Sequence, residues 1–344
     1  MPSQLDSFDI LVINEPWRDD EADAGCKDAL TNFASSIGDE GQTGSATAAC
    51  QLSVWTEKSY RLAVQSIADR ERQAITGIVG HSFGALPATA AAKAFPDAFL
   101  LLSAPIAPPT VPGSQVVADR RFSVETALDQ SYARQCKILG FDCSLTGTQV
   151  ATSAIARTSP IVVTSRSKPV TNSDVAVATL AALYGIDTNE RWLWKTLAQL
   201  PDLDPESTAQ VGKFADQLLM RHGSGNIAPG LGAFIEGFCT SYTGWSPDTE
   251  TSKGPSSFLR DLGMQCAQTH VSAGWNLDGV GERTGPTCIY GNEADPVTPN
   301  VWAVQWAQLL PKAALVQYRH NGHASLSIAT SSVFAGQCPI IGGS

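Results

Sequence analysis

The sequence predicts an α/β fold built on a mostly parallel sheet, with a helical lid inserted into the chain. Three observations carry this expectation. Strand-like apolar runs alternate with helix-periodic segments up to about residue 119, the stretch 120–260 is helical in pattern, and strand signals return only after it. The expected organisation is therefore a first core part over 1–119, a lid over 120–260 and a second core part over 261–344.

The elements follow in order. Phe8 to Ile13 is a short β-rich apolar run ending at Asn14-Glu15-Pro16, which reads as a buried parallel strand. Residues 19–50 are acidic and rich in Gly, Ser and Thr, a surface excursion with a short helix near Cys26 to Phe33. Tyr60, Ala63, Val64, Ile67 and Ala68 recur at helical spacing and predict an amphipathic helix from Trp55 to Arg72. Ala74 to Val79 reads as a strand, the alanine-rich run to Ala94 as a helix, and Phe99 to Leu102 as the next strand. Within the lid, helices are expected over Asp174 to Tyr184, Asn189 to Leu200, and Pro205 to Arg221, the last with Asp204 as N-cap and Pro205 at its first position. Trp192, Trp194, Leu197, Phe214 and Leu218 either line a substrate pocket or form plain core. Thr287 to Tyr290 and Ala314 to Tyr318 read as strands separated by a helix from about Pro299 to Leu310.

Bulk properties narrow the function. The chain has 344 residues, 43% hydrophobic and 16% charged, with no run of about 18 apolar residues, so no membrane span is expected. Its 33 acidic and 23 basic residues give a formal charge of −10. That balance, with no basic cluster to offset it, repels phosphate backbones and argues against a nucleic-acid partner.

Eight cysteines occur without a C-x-x-C pair, which favours disulfides over zinc ligation. The local pairings expected first are Cys26 with Cys50, Cys136 with Cys143, and Cys239 with Cys266. They imply an oxidising, secreted or periplasmic location. The opening Met1 to Asp9 nevertheless lacks the basic and apolar regions of a secretory signal, so export takes another route or the native start lies upstream.

Gly80-His81-Ser82-Phe83-Gly84 fits G-x-S-x-G between a predicted strand and a predicted helix. A sharp strand-to-helix turn holds such a serine in a strained conformation, with small flanking residues for close packing, and exposes its Oγ at the carboxyl edge of the sheet. There the start of the helix favours negative charge, and the Phe83 N–H is placed to donate to an oxyanion. Ser82 is the expected nucleophile. Its base must come from another loop on the same edge. His81 reads as a packing residue, His222 and His270 fall in or beside the lid, and His320 lies close to the last strand. His323, after a glycine turn, is the expected base, and its spacing from His320 is a weak metal motif, so no metal or cofactor is expected. Asp295, with Glu293 as competitor, is the expected acid, which gives the chain order Ser82, Asp295, His323.

These motifs resemble those of α/β-hydrolases of the tripeptidyl-aminopeptidase-like and prolyl-iminopeptidase-like group. The resemblance rests on Gly80 to Gly84, on Gly291, Asp295, Thr298 and Pro299, and on Gly322-His323, and more loosely on Phe8 to Ile13, Cys26, Phe234-Ile235 with Cys239, and Cys266 with Trp275. It implies the α/β-hydrolase fold and an exported serine peptidase acting near peptide N-termini on a small peptide substrate, or an esterase relative acting on an ester. Acidic lid residues such as Glu190, Asp202 or Asp204 are candidates to hold a substrate amine, or else solvated helix-end charges. The family also has strands and a His-Gly-Gly-type oxyanion loop ahead of the strand matching Phe8 to Ile13, for which this sequence has no room. A truncated or mis-started N-terminus is therefore expected, and with it the rival expectation of a non-catalytic binding protein that lacks a complete oxyanion hole.

Overall fold

The computed structural model describes residues 24–39, 46, 50, 56–72, 74–163, 168–200, 202–221, 227–247, 254–268, 274–323 and 338. The expected strand at Phe8 to Ile13, and with it the question of the chain's start, lies outside the described residues, as do His222 and His270.

Among the described residues, four parallel strands form a sheet in the order β1 (Gly77–His81), β2 (Phe99–Ser103), β3 (Thr287–Ala294), β4 (Ala314–Asn321). Parallel neighbours cannot be joined by a tight turn, so each link is a helical crossover. Helix α3 (Ala85–Ala94) joins β1 to β2, and α11 (Asn300–Leu309) joins β3 to β4. Leu100, Leu101 and Leu102 of β2 and Cys288, Ile289 and Tyr290 of β3 are all buried. That unbroken apolar run, in place of alternation, is what a strand covered on both faces requires. His81, Ser103 and Tyr290 are register partners across β1, β2 and β3. The carboxyl ends of the strands thus share one edge, where ligands of open α/β sheets bind.

Ahead of the sheet lie α1 (Ala24–Ser35) and α2 (Glu57–Glu71). Helix α2 opens on a capping box between Thr56 and Ser59, which satisfies two backbone N–H groups that the first turn leaves free. All of Ala85 to Ala92 on α3 are buried, and their small side chains let the helix lie close against β1.

Between β2 and β3 the described chain runs through α4 (Gly113–Leu139), α5 (Gly147–Arg157), α6 (Asn172–Leu183), α7 (Ile186–Gln199), α8 (Pro205–Leu218), α9 (Pro229–Ser241) and α10 (Ser257–Gln268). Helices α6, α7 and α8 match the three expected ones to within a few residues, and Asp204 caps α8 by accepting the N–H groups of Glu206 and Ser207. The 27-residue α4 was not expected as one helix. Its buried face, Val116, Val117, Arg120, Val124, Leu128, Ser131, Tyr132 and Cys136, mixes an arginine and a serine into the apolar stripe and so blurs the periodic signal.

Of the aromatic residues named for this stretch, Trp194 is fully buried, donates its indole N–H to Ser131 Oγ at 2.7 Å and packs edge-on against Tyr132, while Trp192 and Phe214 meet in a tilted pair, both partly buried against the core. Burial of one such side chain contributes about 1.5–3 kcal/mol. The three expected disulfides, Cys26–Cys50, Cys136–Cys143 and Cys239–Cys266, are present, and Cys288–Cys338 is a fourth. No helix among the described residues is long and apolar enough to cross a membrane.

Candidate active site

Strand β1 ends at His81, and Ser82 follows with φ 54° before the chain turns through a short 3₁₀ segment into α3. A left-handed backbone at a residue with a side chain costs free energy and persists only where the surroundings impose it. The expected strain at the elbow is therefore observed. Gly80 permits the turn, because a Cβ there would lie 2.5 Å from Ala88 Cβ and 2.6 Å from the Gly84 carbonyl oxygen. Gly84 differs from expectation: its φ is −60° and a Cβ at that position would meet nothing within 4 Å, so close packing does not demand glycine there. Phe83, whose N–H was read as the oxyanion donor, places its ring edge-on against Phe234 of α9.

Asp295 follows the end of β3 and His323 the end of β4. His323 Nδ1 lies 2.9 Å from Asp295 Oδ2 and 3.2 Å from Oδ1. A carboxylate accepts, so Nδ1 carries the proton and Nε2 is left with a free lone pair, as a general base needs. The carboxylate is itself fixed: Oδ1 accepts the backbone N–H groups of Val297 and Thr298, and Oδ2 accepts Thr298 Oγ1–H. Glu293, the competitor, points outward to an ion pair with Arg319. Tyr318 of β4 senses the site too; burial, with Asp295 and Tyr290 nearby, pushes its hydroxyl up to about 12.

Asp295 and His323 are thus directly joined. Ser82 follows His81 in sequence, and the His81 ring centroid is 5.0 Å from that of His323. No hydrogen bond links Ser82 to His323 among the described residues. His81 packs as expected, and its neighbour is His323. Its Nδ1–H donates to the Ser103 carbonyl at 3.1 Å. Burial first, and then His323, lower its pKa below the ordinary histidine value.

Several contributors were not legible in the sequence. Thr298 was noted only as a family match, yet its hydroxyl touches both Asp295 and His323. Asn292 Nδ2–H donates to the Gly322 carbonyl at 2.6 Å and holds the histidine loop. Ser123 of α4 donates to the Asp295 carbonyl at 2.7 Å, and Tyr184 meets His323 from the turn after α6. Only Thr298, by its spacing from Asp295, carried any signal. Of the acidic lid candidates, Glu190 pairs with Arg134 and Gln135, and Asp204 caps a helix.

With this geometry established, similarity to known proteins can be stated. Residues 256–335, which contain both Asp295 and His323, match the TAP-like protein family. The described chain itself has an α/β fold on a parallel sheet. Among solved structures it is similar to esterase E22, with 12% identity, 83% of this chain and 67% of that chain covered, and a TM-score of 0.39. It is also similar to the putative non-heme bromoperoxidase BpoC of Mycobacterium tuberculosis H37Rv, at 16% identity, 82% and 75% coverage and a TM-score of 0.32. A third is a thermophilic esterase from Thermogutta terrifontis with malate bound, at 14% identity, 92% and 83% coverage and a TM-score of 0.32. No curated protein matches the sequence.

Proposed function

We propose that this protein is a serine hydrolase of the α/β-hydrolase type that cleaves amide or ester bonds through an acyl-enzyme, and that its substrates are small peptides cut near the N-terminus. Ser82 Oγ attacks the carbonyl carbon, and His323 Nε2 takes its proton and later returns it to the leaving group. Asp295 holds the Nδ1 tautomer and stabilises the imidazolium, and the Phe83 N–H donates to the oxyanion. The observation that carries the reading is the 2.9 Å contact of His323 Nδ1 with Asp295 Oδ2, because it leaves Nε2 free on the edge where the strained Ser82 emerges. Helices α4 to α10 form a lid that selects substrate. The four disulfides support an exported protein.

A fluorophosphonate probe tests the chemistry. The wild-type chain is expected to label at one serine and Ser82→Ala to lose the label; labelling that survives Ser82→Ala overturns the assignment. A panel of aminoacyl, peptidyl and acyl-ester chromogenic substrates then tests the peptidase reading, which turnover of simple acyl esters alone would replace with an esterase.

A further inference from the structure

The loop that carries His323 rests on the helical insertion as well as on the sheet. Tyr184 stands in the turn between α6 and α7, where a helix end leaves carbonyls without partners inside the helix. Its carbonyl accepts the His323 backbone N–H at 3.0 Å, and its ring lies edge-on to the imidazole with centroids 5.5 Å apart. Gly322, at φ 101°, allows this approach: a Cβ there would stand 3.1 Å from the Tyr184 carbonyl oxygen and 3.3 Å from Ile186 N. Tyr184 is held in turn by α4, since Arg120 Nη2 donates to its hydroxyl at 3.1 Å and Arg120 is itself buried. The same helix supplies Ser123 to the Asp295 carbonyl. The insertion therefore grips both members of the acid–base pair.

We infer that Tyr184 is a positioning residue for His323, braced by Arg120, so that the helical insertion sets the geometry of proton transfer in addition to covering the site. This rests on the Ser82, His323 and Asp295 assignment above. The imidazole has two ring neighbours: His81 of β1, tilted at 5.0 Å, and Tyr184, edge-on at 5.5 Å. The titratable or charged groups facing it are Asp295, His81 and the Tyr184 hydroxyl, with Arg120 behind that hydroxyl. An imidazole free to tilt about its Nδ1 contacts with Asp295 and Thr298 would spend less time aimed at Ser82, and a displacement of about 1 Å costs on the order of 10²-fold in rate.

The test compares Tyr184→Phe, which keeps the ring, with Tyr184→Ala, which deletes it; both keep the backbone carbonyl. Fluorophosphonate labelling of the wild-type chain is measured first, and its absence would fault the serine-hydrolase reading, leaving the positioning question aside. With wild-type labelling in hand, Tyr184→Ala is expected to label about 10- to 100-fold more slowly and to lose kcat with KM little changed, while Tyr184→Phe recovers most of the rate. Urea midpoints for both variants, and for Gln149→Ala, which loosens the cap of α5 away from the site, separate positioning from general loosening. Unchanged labelling by Tyr184→Ala overturns the inference. So does an equal loss in Tyr184→Phe, Tyr184→Ala and Gln149→Ala that tracks their midpoints.

Discussion

His323 Nδ1 sits 2.9 Å from Asp295 Oδ2, and that carboxylate also accepts two backbone N–H groups and the Thr298 hydroxyl. Asp295→Asn keeps the shape of the side chain but puts an amide donor within its reach, which favours the wrong tautomer. The expected result is a loss of about 10⁴ in kcat with the fold intact, read by steady-state hydrolysis beside a circular dichroism spectrum.

Gly80 leaves no space for a methyl group between β1 and α3. Gly80→Ala is expected to push the elbow away from α3, to lower stability by about 1–3 kcal/mol in urea unfolding and to slow probe labelling of Ser82. A variant with unchanged midpoint and labelling would show that the elbow can relax at no cost.

His81 has a pKa below the ordinary histidine value of about 6.5, chiefly through burial and then through His323. Its folded pKa is depressed, so the unfolded chain takes up this proton first as pH falls. Stability from the neutral ring is complete above pH 6.5, declines below it, and levels off once the folded pKa is passed. His81→Gln is expected to flatten that part of the curve of urea midpoint against pH; an unaltered slope would show that His81 does not contribute to it.

Arg221 Nη1 lies 2.8 Å from Asp174 Oδ1 and 3.1 Å from Asp216 Oδ1, with Asp174 buried at the first turn of α6. Asp174 also accepts from the N–H of Thr171 and closes the capping box of that helix. Asp174→Ala leaves the part-buried Arg221 guanidinium to Asp216 and opens the capping box, and its expected cost is about 1–3 kcal/mol by denaturant titration.

Cys239–Cys266 ties α9 to α10 across a sequence separation of 27. Replacing both cysteines with serine is expected to cost about 2–4 kcal/mol, chiefly by enlarging the unfolded ensemble, and to show as a lower thermal midpoint under non-reducing conditions.

What the sequence made legible is local or patterned. The elbow from Gly80 to Gly84 announces itself because strain, small residues and a strand-to-helix change coincide within five positions, and Asp204-Pro205 marks a helix start for the same kind of reason. Three disulfides were within reach because their partners are near in sequence, whereas Cys338 meets Cys288 only after β4 has been laid beside β3. The contacts that hold His323 were hidden. Tyr184 acts partly through a carbonyl, which every residue has, and Ser123 and Arg120 lie on a helix whose polar buried positions masked its own period.

The seating of Gly322 against the Tyr184 to Ile186 turn has a consequence for engineering. A chimera that exchanged α4 to α10 for the corresponding helices of a relative would remove a buttress together with a cover. Grafts that retain residues 120, 123 and 184–186 should keep turnover while their preferences change, and grafts that discard them should bind new molecules without processing them.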